Sequence, residues 1–147
     1  MDSSQTAFLA GKSFCLTAQP ELKWIVDSGA TDHITPHLHL FHTHTKVSRP
    51  CYITMPNGQQ LQVKNIGTVM LSLNITLQEV LDVPEFQFNL LSASKLAKQL
   101  TGNVIFSPTS CYIQAPFRNN PLVLGEESGG LYLVNSEIVG TSLKTPP

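Results

Sequence analysis

The segment 24–30 holds the residues whose types and order most directly suggest chemistry. An apolar run over residues 24–26 leads into Asp27-Ser28-Gly29, so a carboxyl group stands where a strand gives way to a turn. Two carboxyl groups held about 3 Å apart cannot both ionise, and they share a proton. One of them then takes a proton from a water molecule while the other polarises a carbonyl group. The segment predicts one half of such a hydrolytic site, with Asp27 as the catalytic carboxylate.

The two residues after Asp27 suit this chemistry. The hydroxyl group of Ser28 can hydrogen-bond to a facing loop, and Gly29 lets two loops approach closely because it lacks a Cβ atom. Asp, Ser and Gly also favour ordinary turns, and average usage places this tripeptide by chance in roughly one chain of this length in fifteen. Taken alone, the tripeptide leaves a plain turn open.

The elements that must position these residues are many short strands and one helix. Asn57-Gly58 predicts a tight hairpin turn, and the alternation of apolar and polar residues over 69–78 predicts one long half-buried strand. Residues 31–46 are predicted to be irregular. The further strands are predicted at 22–26, 47–55, 80–83, 104–106, 111–114, 122–124 and 131–134. The only helix is predicted at 89–100, capped by Asn89.

The histidines are concentrated in one segment and raise a second kind of chemistry. All five lie between residues 33 and 44: His33, His37, His39, His42 and His44. Their spacing makes a zinc site conceivable, but no cysteine or carboxylate accompanies them at a familiar spacing. A solvated loop is the favoured interpretation, and no metal or other cofactor is predicted.

Composition narrows the class of protein. Apolar residues make up 41% and charged residues 13% of the 147 residues, which favours a folded chain over a disordered one. The formal net charge is −1 with no basic run, so direct nucleic-acid binding is not expected. No apolar stretch reaches the roughly 20 residues of a membrane helix. Three scattered cysteines favour a reducing compartment, predicted to be the cytoplasm, where virus-like particles are a further option.

Several motifs together resemble the protease region of copia-type retrotransposon Pol polyproteins. They occur in the family's order and cover about residues 22–135. The motifs are Trp24-Ile25-Val26-Asp27-Ser28-Gly29-Ala30-Thr31-Asp32-His33, Pro56-Asn57-Gly58, Gly67-Thr68-Val69, Val80-Leu81-Asp82-Val83-Pro84, Asn89-Leu90-Leu91-Ser92-Ala93-Ser94-Lys95-Leu96 and Gly130-Leu131-Tyr132-Leu133.

The resemblance implies an all-β fold, a retropepsin-like closed β-barrel with one short helix and a flap hairpin. It assigns catalysis to Asp27, Ser28 and Gly29. It also implies substrate contacts from five residues: Ala30, Asp32, Pro56, Asn57 and Gly58. The last three would form the tip of the flap. The implied activity is that of an aspartic endopeptidase that cleaves its own polyprotein.

The sequence contains a single Asp-Ser-Gly, so the implied active site needs a homodimer with the site on its two-fold axis. The predicted organisation is a flexible tail at 1–20, a retropepsin-like core at 21–101, C-terminal strands at 102–135 that lead toward a gag-pre-integrase segment, and a frayed tail at 136–147. An alternative remains open: a catalytically silent β-barrel fragment of a decayed element, which acts as a binding module or has no function.

Overall fold

The computed structural model describes residues 23–72, 74–116 and 119–135. The tails predicted at 1–20 and 136–147 lie outside these residues. Within them, twelve strands, one α-helix and one 3-10 helix are found. No helix in the described ranges is long and apolar enough to cross a membrane.

The strands are short, and most alternate with tight turns. In chain order they are β1 (Trp24–Asp27), β2 (Ile34–Thr35), β3 (Phe41–Lys46), β4 (Tyr52–Thr54), β5 (Gln60–Gln62), β6 (Asn65–Met70), β7 (Thr76–Asp82), β8 (Asn89–Ser92), β9 (Asn103–Phe106), β10 (Ser110–Gln114), β11 (Leu122–Ser128) and β12 (Leu131–Val134). The α-helix α1 spans Ala93–Leu100, and the 3-10 helix spans Leu38–Leu40.

Ten of the strands form one sheet in the order β3-β6-β7-β2-β8-β1-β12-β11-β10-β9, and β4 and β5 form a separate hairpin. The strand β1 lies inside the large sheet. It pairs in parallel with β8 and antiparallel with β12. The strand that ends at Asp27 is therefore held by neighbours on both sides.

The strand β1 is apolar on both faces because both faces of the sheet are covered. Trp24 and Val26 point into one core cluster, whereas Ile25 points into the other. On β8, Leu91 joins the first cluster and Leu90 the second. Each aliphatic side chain of this size contributes roughly 1.5–3 kcal/mol when fully buried, so the two paired strands form the best-supported part of the sheet.

The expected class is confirmed in its coarse form: the structure is mostly β with one short α-helix among the described residues. The sheet, however, is not closed into a barrel. Its edge strands are β3 and β9, which stand at opposite ends of the strand order. The polar side chains exposed along β3 are typical of a strand that ends a sheet.

The single strand predicted over 69–78 is wrong, because the chain forms a hairpin there. Val69 pairs with Leu77, and the Leu71 N–H donates to the Ile75 carbonyl over 2.8 Å. Between Val69 and Leu77, cross-strand partners in this hairpin are separated by an even number of residues. The alternation of apolar and polar residues therefore continues through the turn as if the strand had not reversed.

The predicted start of the helix is also wrong. Asn89 begins β8 rather than a helix, and the cap is Ser92, whose Oγ accepts from the Lys95 N–H over 3.1 Å. Parallel pairing with β1 holds residues 89–92 extended, and this tertiary pairing overrides their helical spacing.

Two predictions near the middle of the chain also differ from the structure. Residues 31–46 are not irregular: they contain β2, the 3-10 helix and β3. Strand structure within 47–55 is confined to β4, since Pro50 cannot donate to a ladder and interrupts the run.

Candidate active site

The Asp27 carboxyl group lies at the end of β1 and is buried, with 5% of the residue exposed. Its Oδ1 accepts a hydrogen bond from the Gly29 N–H over 2.8 Å. Its Oδ2 has no hydrogen-bond partner among the described residues. Burial raises the pKa of this carboxyl above 3.8, and the Gly29 N–H opposes that rise. A buried acid with a free oxygen is unusual in a folded chain, since most buried polar atoms have a partner.

The turn that follows Asp27 is open to solvent. Ser28 and Gly29 are both exposed, so the buried carboxyl group lies directly beneath a short surface segment. A Cβ atom built on Gly29 would come no closer than 3.5 Å to any neighbouring atom, the nearest being Asp27 Oδ1. Nothing within one described chain therefore demands glycine at this position.

The turn is tied to the start of α1 by Ser92. This residue is the parallel Cα partner of Asp27, and its Oγ donates to the Ala30 carbonyl over 2.7 Å. The same Oγ accepts from the Lys95 N–H. The side chain of Ala30 is itself buried, with 1% of the residue exposed. The chain beyond the turn is thus anchored to the strand and helix beside Asp27.

His33 provides the second anchor. It is completely buried, and its Nδ1 accepts from the Ser92 backbone N–H over 2.9 Å. Burial, with a smaller effect of the Lys95 charge, lowers the pKa of His33 to about 3. The imidazole is therefore neutral and carries its proton on Nε2, which has no partner in the described parts of the chain. The interpretation of His33 as part of a solvated loop is wrong, because this side chain packs inside the fold.

Asp32 lies on the rim of this region and takes part in a small charged network. It accepts from the Thr31 hydroxyl over 3.0 Å and lies 3.7 Å from Lys95 Nζ. Lys95 also lies 3.6 Å from the Glu79 carboxylate and donates to the Glu79 carbonyl over 2.9 Å. Because these groups are partly or largely exposed, the ion pairs add little stability, but they fix the orientation of Lys95 at the first turn of α1.

The remaining predicted site residues form the tip of the β4–β5 hairpin. Pro56, Asn57 and Gly58 are all exposed. The Asn57 Oδ1 accepts from the Gln59 N–H over 2.9 Å, and Gly58 has a φ of 89°, as a tight turn requires.

The base of the hairpin belongs to the same hydrophobic core cluster as the strand of the candidate site. Ile53 and Leu61 are buried in the same cluster as Ile25 and Ala30. The hairpin is thus connected through the core to the segment that carries Asp27.

The histidine segment does not converge on a metal centre. His42 and His44 are exposed on β3, whereas His33 is buried beside Ser92. Over the described ranges, no group of three or more His, Cys, Asp or Glu side chains is arranged to hold a metal ion.

Comparison with known proteins shows which family the chain belongs to. A family model described as Pol polyprotein, beta-barrel domain, matches residues 24–100. The chain belongs to this family. The matched part of this Pol β-barrel domain begins at β1 and ends with α1, so it contains every residue of the candidate site. The four strands β9–β12 follow the matched part.

Two curated relatives are Pol polyproteins of plant transposons. The chain is 29% identical over 112 residues to the retrovirus-related Pol polyprotein from transposon RE2 of Arabidopsis thaliana. It is 28% identical over 112 residues to the corresponding protein from transposon RE1. Each alignment covers 74% of this chain and 8% of the relative. The chain is therefore related to one region of retrotransposon Pol polyproteins.

The sequence did not reveal the roles of His33 and Ser92. Their contact joins residues 59 positions apart, and it depends on the pairing of β1 with β8. The residues next to a histidine in the sequence do not indicate that it is buried when its hydrogen-bond partner is this distant. The sequence pattern predicted the helix cap at Asn89, three residues before the observed cap Ser92.

Proposed function

We propose that this Pol β-barrel domain is an aspartic endopeptidase whose active site forms when two copies pair and each contributes Asp27. The observation that carries the proposal is the Asp27 carboxyl group. It is buried, has one oxygen without a partner among the described residues, and lies beneath an exposed turn.

A half-satisfied buried carboxyl group costs stability in a single chain. An unpaired buried polar group costs roughly 1–3 kcal/mol, and a buried charge costs more. A second carboxyl group across a two-fold axis supplies the missing partner, because one proton shared between the two acids bonds both inner oxygens. The raised pKa of Asp27 favours such sharing, since it keeps a proton on the pair at a higher pH.

The exposed turn supports the same arrangement. Two copies can bring their Asp27 carboxyl groups together only if the segments above them meet closely. Gly29 has no side chain to separate the turns, and its own chain leaves room for one. We therefore assign to Gly29 the close approach between copies, and to Ser28 a hydrogen bond to the facing turn.

The proposed reaction uses one ionised and one protonated Asp27. The ionised carboxylate takes a proton from a water molecule, whose oxygen attacks the peptide carbonyl carbon. The protonated carboxyl group donates to the carbonyl oxygen. The tetrahedral intermediate then collapses: the C–N bond breaks, a proton passes from the acid pair to the departing nitrogen, and one hydroxyl group of the intermediate returns its proton to the pair.

The remaining parts of the site have proposed roles in holding substrate. The hairpin tip, Pro56-Asn57-Gly58, would close over the peptide as a flap and exclude water. Asp32 and the backbone at Ala30 would border the bound peptide. A retropepsin-like pairing of copies, a copia-type parent element and cleavage of its own polyprotein belong to the same proposal.

The proposal is tested with purified protein and a longer polyprotein substrate, with and without pepstatin. We expect cleavage that pepstatin inhibits and whose rate per chain rises with protein concentration, because active sites scale with the square of total protein below the dimer dissociation constant. A folded protein without activity at any concentration would favour the catalytically silent binding module instead.

A further inference from the structure

A surface pocket separate from the candidate active site lies beside the ends of β3 and β5. It has a volume of about 280 Å³, and we call it the basic pocket. It is lined by Lys46, Val47, Ser48, Arg49, Pro50, Gln62, Val63 and Lys64. None of the catalytic or flap residues proposed above belongs to this lining.

The basic pocket concentrates positive charge. Its cations are Lys46, Arg49 and Lys64, and its lining includes no acidic residue. The described ranges contain only three other lysines or arginines: Lys23, Lys95 and Lys98. Within 4 Å of the three pocket cations, the described residues place no carboxylate. Half of the positive side chains in these ranges therefore surround one depression without neutralising partners, in a chain whose net charge is −1.

The fold brings these cations together from separate segments. Lys46 is close to Lys64 because β3 pairs with β6 as far as Asn65, and the Val47 N–H donates to the Lys64 carbonyl over 3.1 Å. Arg49 lies in the bend that follows β3. Since no two of the three are adjacent in the sequence, no basic run marks the pocket.

An exposed aromatic ring flanks the pocket. Tyr52 on β4 is 46% exposed and is the cross-strand partner of Gln62, which lines the pocket. Ile53 and Leu61, the next pair along the hairpin, are buried on the opposite face. Because side chains alternate between the faces of a strand, the Tyr52 ring is on the same face as Gln62.

We propose that the basic pocket binds the phosphate backbone of single-stranded nucleic acid, with Tyr52 stacking on an unpaired base. Lysine and arginine side chains neutralise phosphates, and an exposed aromatic ring provides a stacking platform. In a duplex the bases are already stacked and cannot cover the ring. An acidic peptide would satisfy the cations but has no planar base for Tyr52. The net charge of −1 gave no reason to expect such binding, but the fold brings three positively charged residues together at one pocket.

The test measures fluorescence anisotropy of a labelled 12-nucleotide single strand with the purified chain at pH 8. Three phosphate contacts predict a plot of log affinity against log salt with a slope of about −2, at roughly 0.7 per contact for a single strand. Each single change, Lys46→Gln, Arg49→Gln or Lys64→Gln, should make the slope shallower by about 0.7. Lys98→Gln is the matched control: an exposed lysine on α1 whose loss should leave the slope unchanged.

The stacking part is tested by Tyr52→Leu, expected to weaken binding about tenfold, and by Tyr52→Phe, expected to retain it. Thermal melts confirm that these surface variants fold. The proposal is overturned if a duplex of the same length or a glutamate-rich peptide binds as tightly as the single strand. It is also overturned if the single strand does not bind, or if Lys98→Gln weakens binding as much as the pocket variants. None of these binding measurements depends on proteolysis by Asp27.

Discussion

Two aspartates of this chain are buried in similar ways, but only one of the two is followed by an exposed turn. Asp27 is 5% exposed and Asp82 is 2% exposed. Each has one carboxylate oxygen with a hydrogen-bond donor, Gly29 N–H for Asp27 and Asn65 Nδ2 for Asp82. Each also has one oxygen without a partner in the described part of the chain. Burial and an unpaired oxygen therefore do not identify a catalytic acid.

The two aspartates differ in the segment that comes directly after each of them. Asp82 ends β7 and is flanked by Thr35 on β2 and Asn65 on β6. The next residue, Val83, is buried and continues the contact with β2, so the fold covers this carboxyl group. Asp27 is followed instead by an exposed turn. We therefore expect a second chain to approach Asp27 rather than Asp82, because only Asp27 lies beneath an exposed turn.

The largest expected effect comes from replacing each acid by its neutral isostere. Asp27→Asn should abolish proteolysis, at least a thousandfold, because both members of the acid pair lose the ionisable group. Asp82→Asn retains an oxygen that can accept from Asn65 and should keep activity within a few-fold of the parent. The measurement is cleavage rate per folded chain. Near-parental activity in Asp27→Asn, or an equal loss in both variants, would remove the distinction between the two acids.

Substitutions after each aspartate should have opposite consequences. Gly29→Ala fits within its own chain, so it should leave the unfolding free energy almost unchanged while lowering activity and dimer affinity by at least tenfold. Val83→Ala leaves a cavity in the core and should lower the unfolding free energy by about 1–3 kcal/mol without weakening association of the folded chains. Chemical denaturation and analytical ultracentrifugation separate the two effects. If the Gly29→Ala variant is unstable, the fold of a single chain requires glycine at this position, and the contact between copies is not the reason for it.

The anchor behind Asp27 predicts a pH dependence of stability. The pKa of His33 is lowered from 6.5 to about 3 in the folded chain, so the unfolded state binds a proton first as the pH falls. The contribution of His33 is fully present above pH 6.5 and is lost progressively toward pH 3. His33→Asn can still accept from Ser92 but does not titrate, so its unfolding free energy should vary less over this window. If the unfolding free energies of the two proteins vary with pH in the same way, His33 does not cause the dependence.

A smaller effect should accompany loss of activity at Asp27. Because its pKa is raised in the folded chain, the contribution of this carboxyl group is present below its unfolded pKa and is lost as pH rises through the folded value. Asp27→Asn avoids that loss. In dilute protein, the Asp27→Asn variant should therefore gain stability relative to the parent as pH rises from about 4. Thermal melts of dilute protein at several pH values test this sign, and a relative loss of stability would contradict it.

Local patterns predicted some parts of the fold and the site well. The strand before Asp27, the turn after it and the hairpin at Asn57-Gly58 follow from residues adjacent in the sequence, where composition and turn chemistry act directly. The strand β12 was also placed at its observed bounds. The stretch before it was underestimated, since β11 continues to Ser128.

Other features depended on contacts that local patterns do not contain. The alternation of apolar and polar residues could not reveal the chain reversal between Leu71 and Ile75, because the register of the hairpin preserves that alternation. The Ser72 hydroxyl, which accepts from the Ile75 N–H over 3.2 Å, was the local sign of a turn. The burial of His33 and the grouping of the pocket cations follow from strand pairings between distant segments.

The central claim, that two chains share one active site through Asp27, is tested most directly by joining two copies head to tail. One tandem protein carries two parental halves, and a second carries Asp27→Asn in one half only. Both are assayed well below the concentration at which separate tandems associate, where the linker keeps the halves together. A shared site predicts full activity that is independent of dilution for the first tandem and almost none for the second. Half of the parental activity in the singly substituted tandem would show that each chain works alone and would contradict the claim.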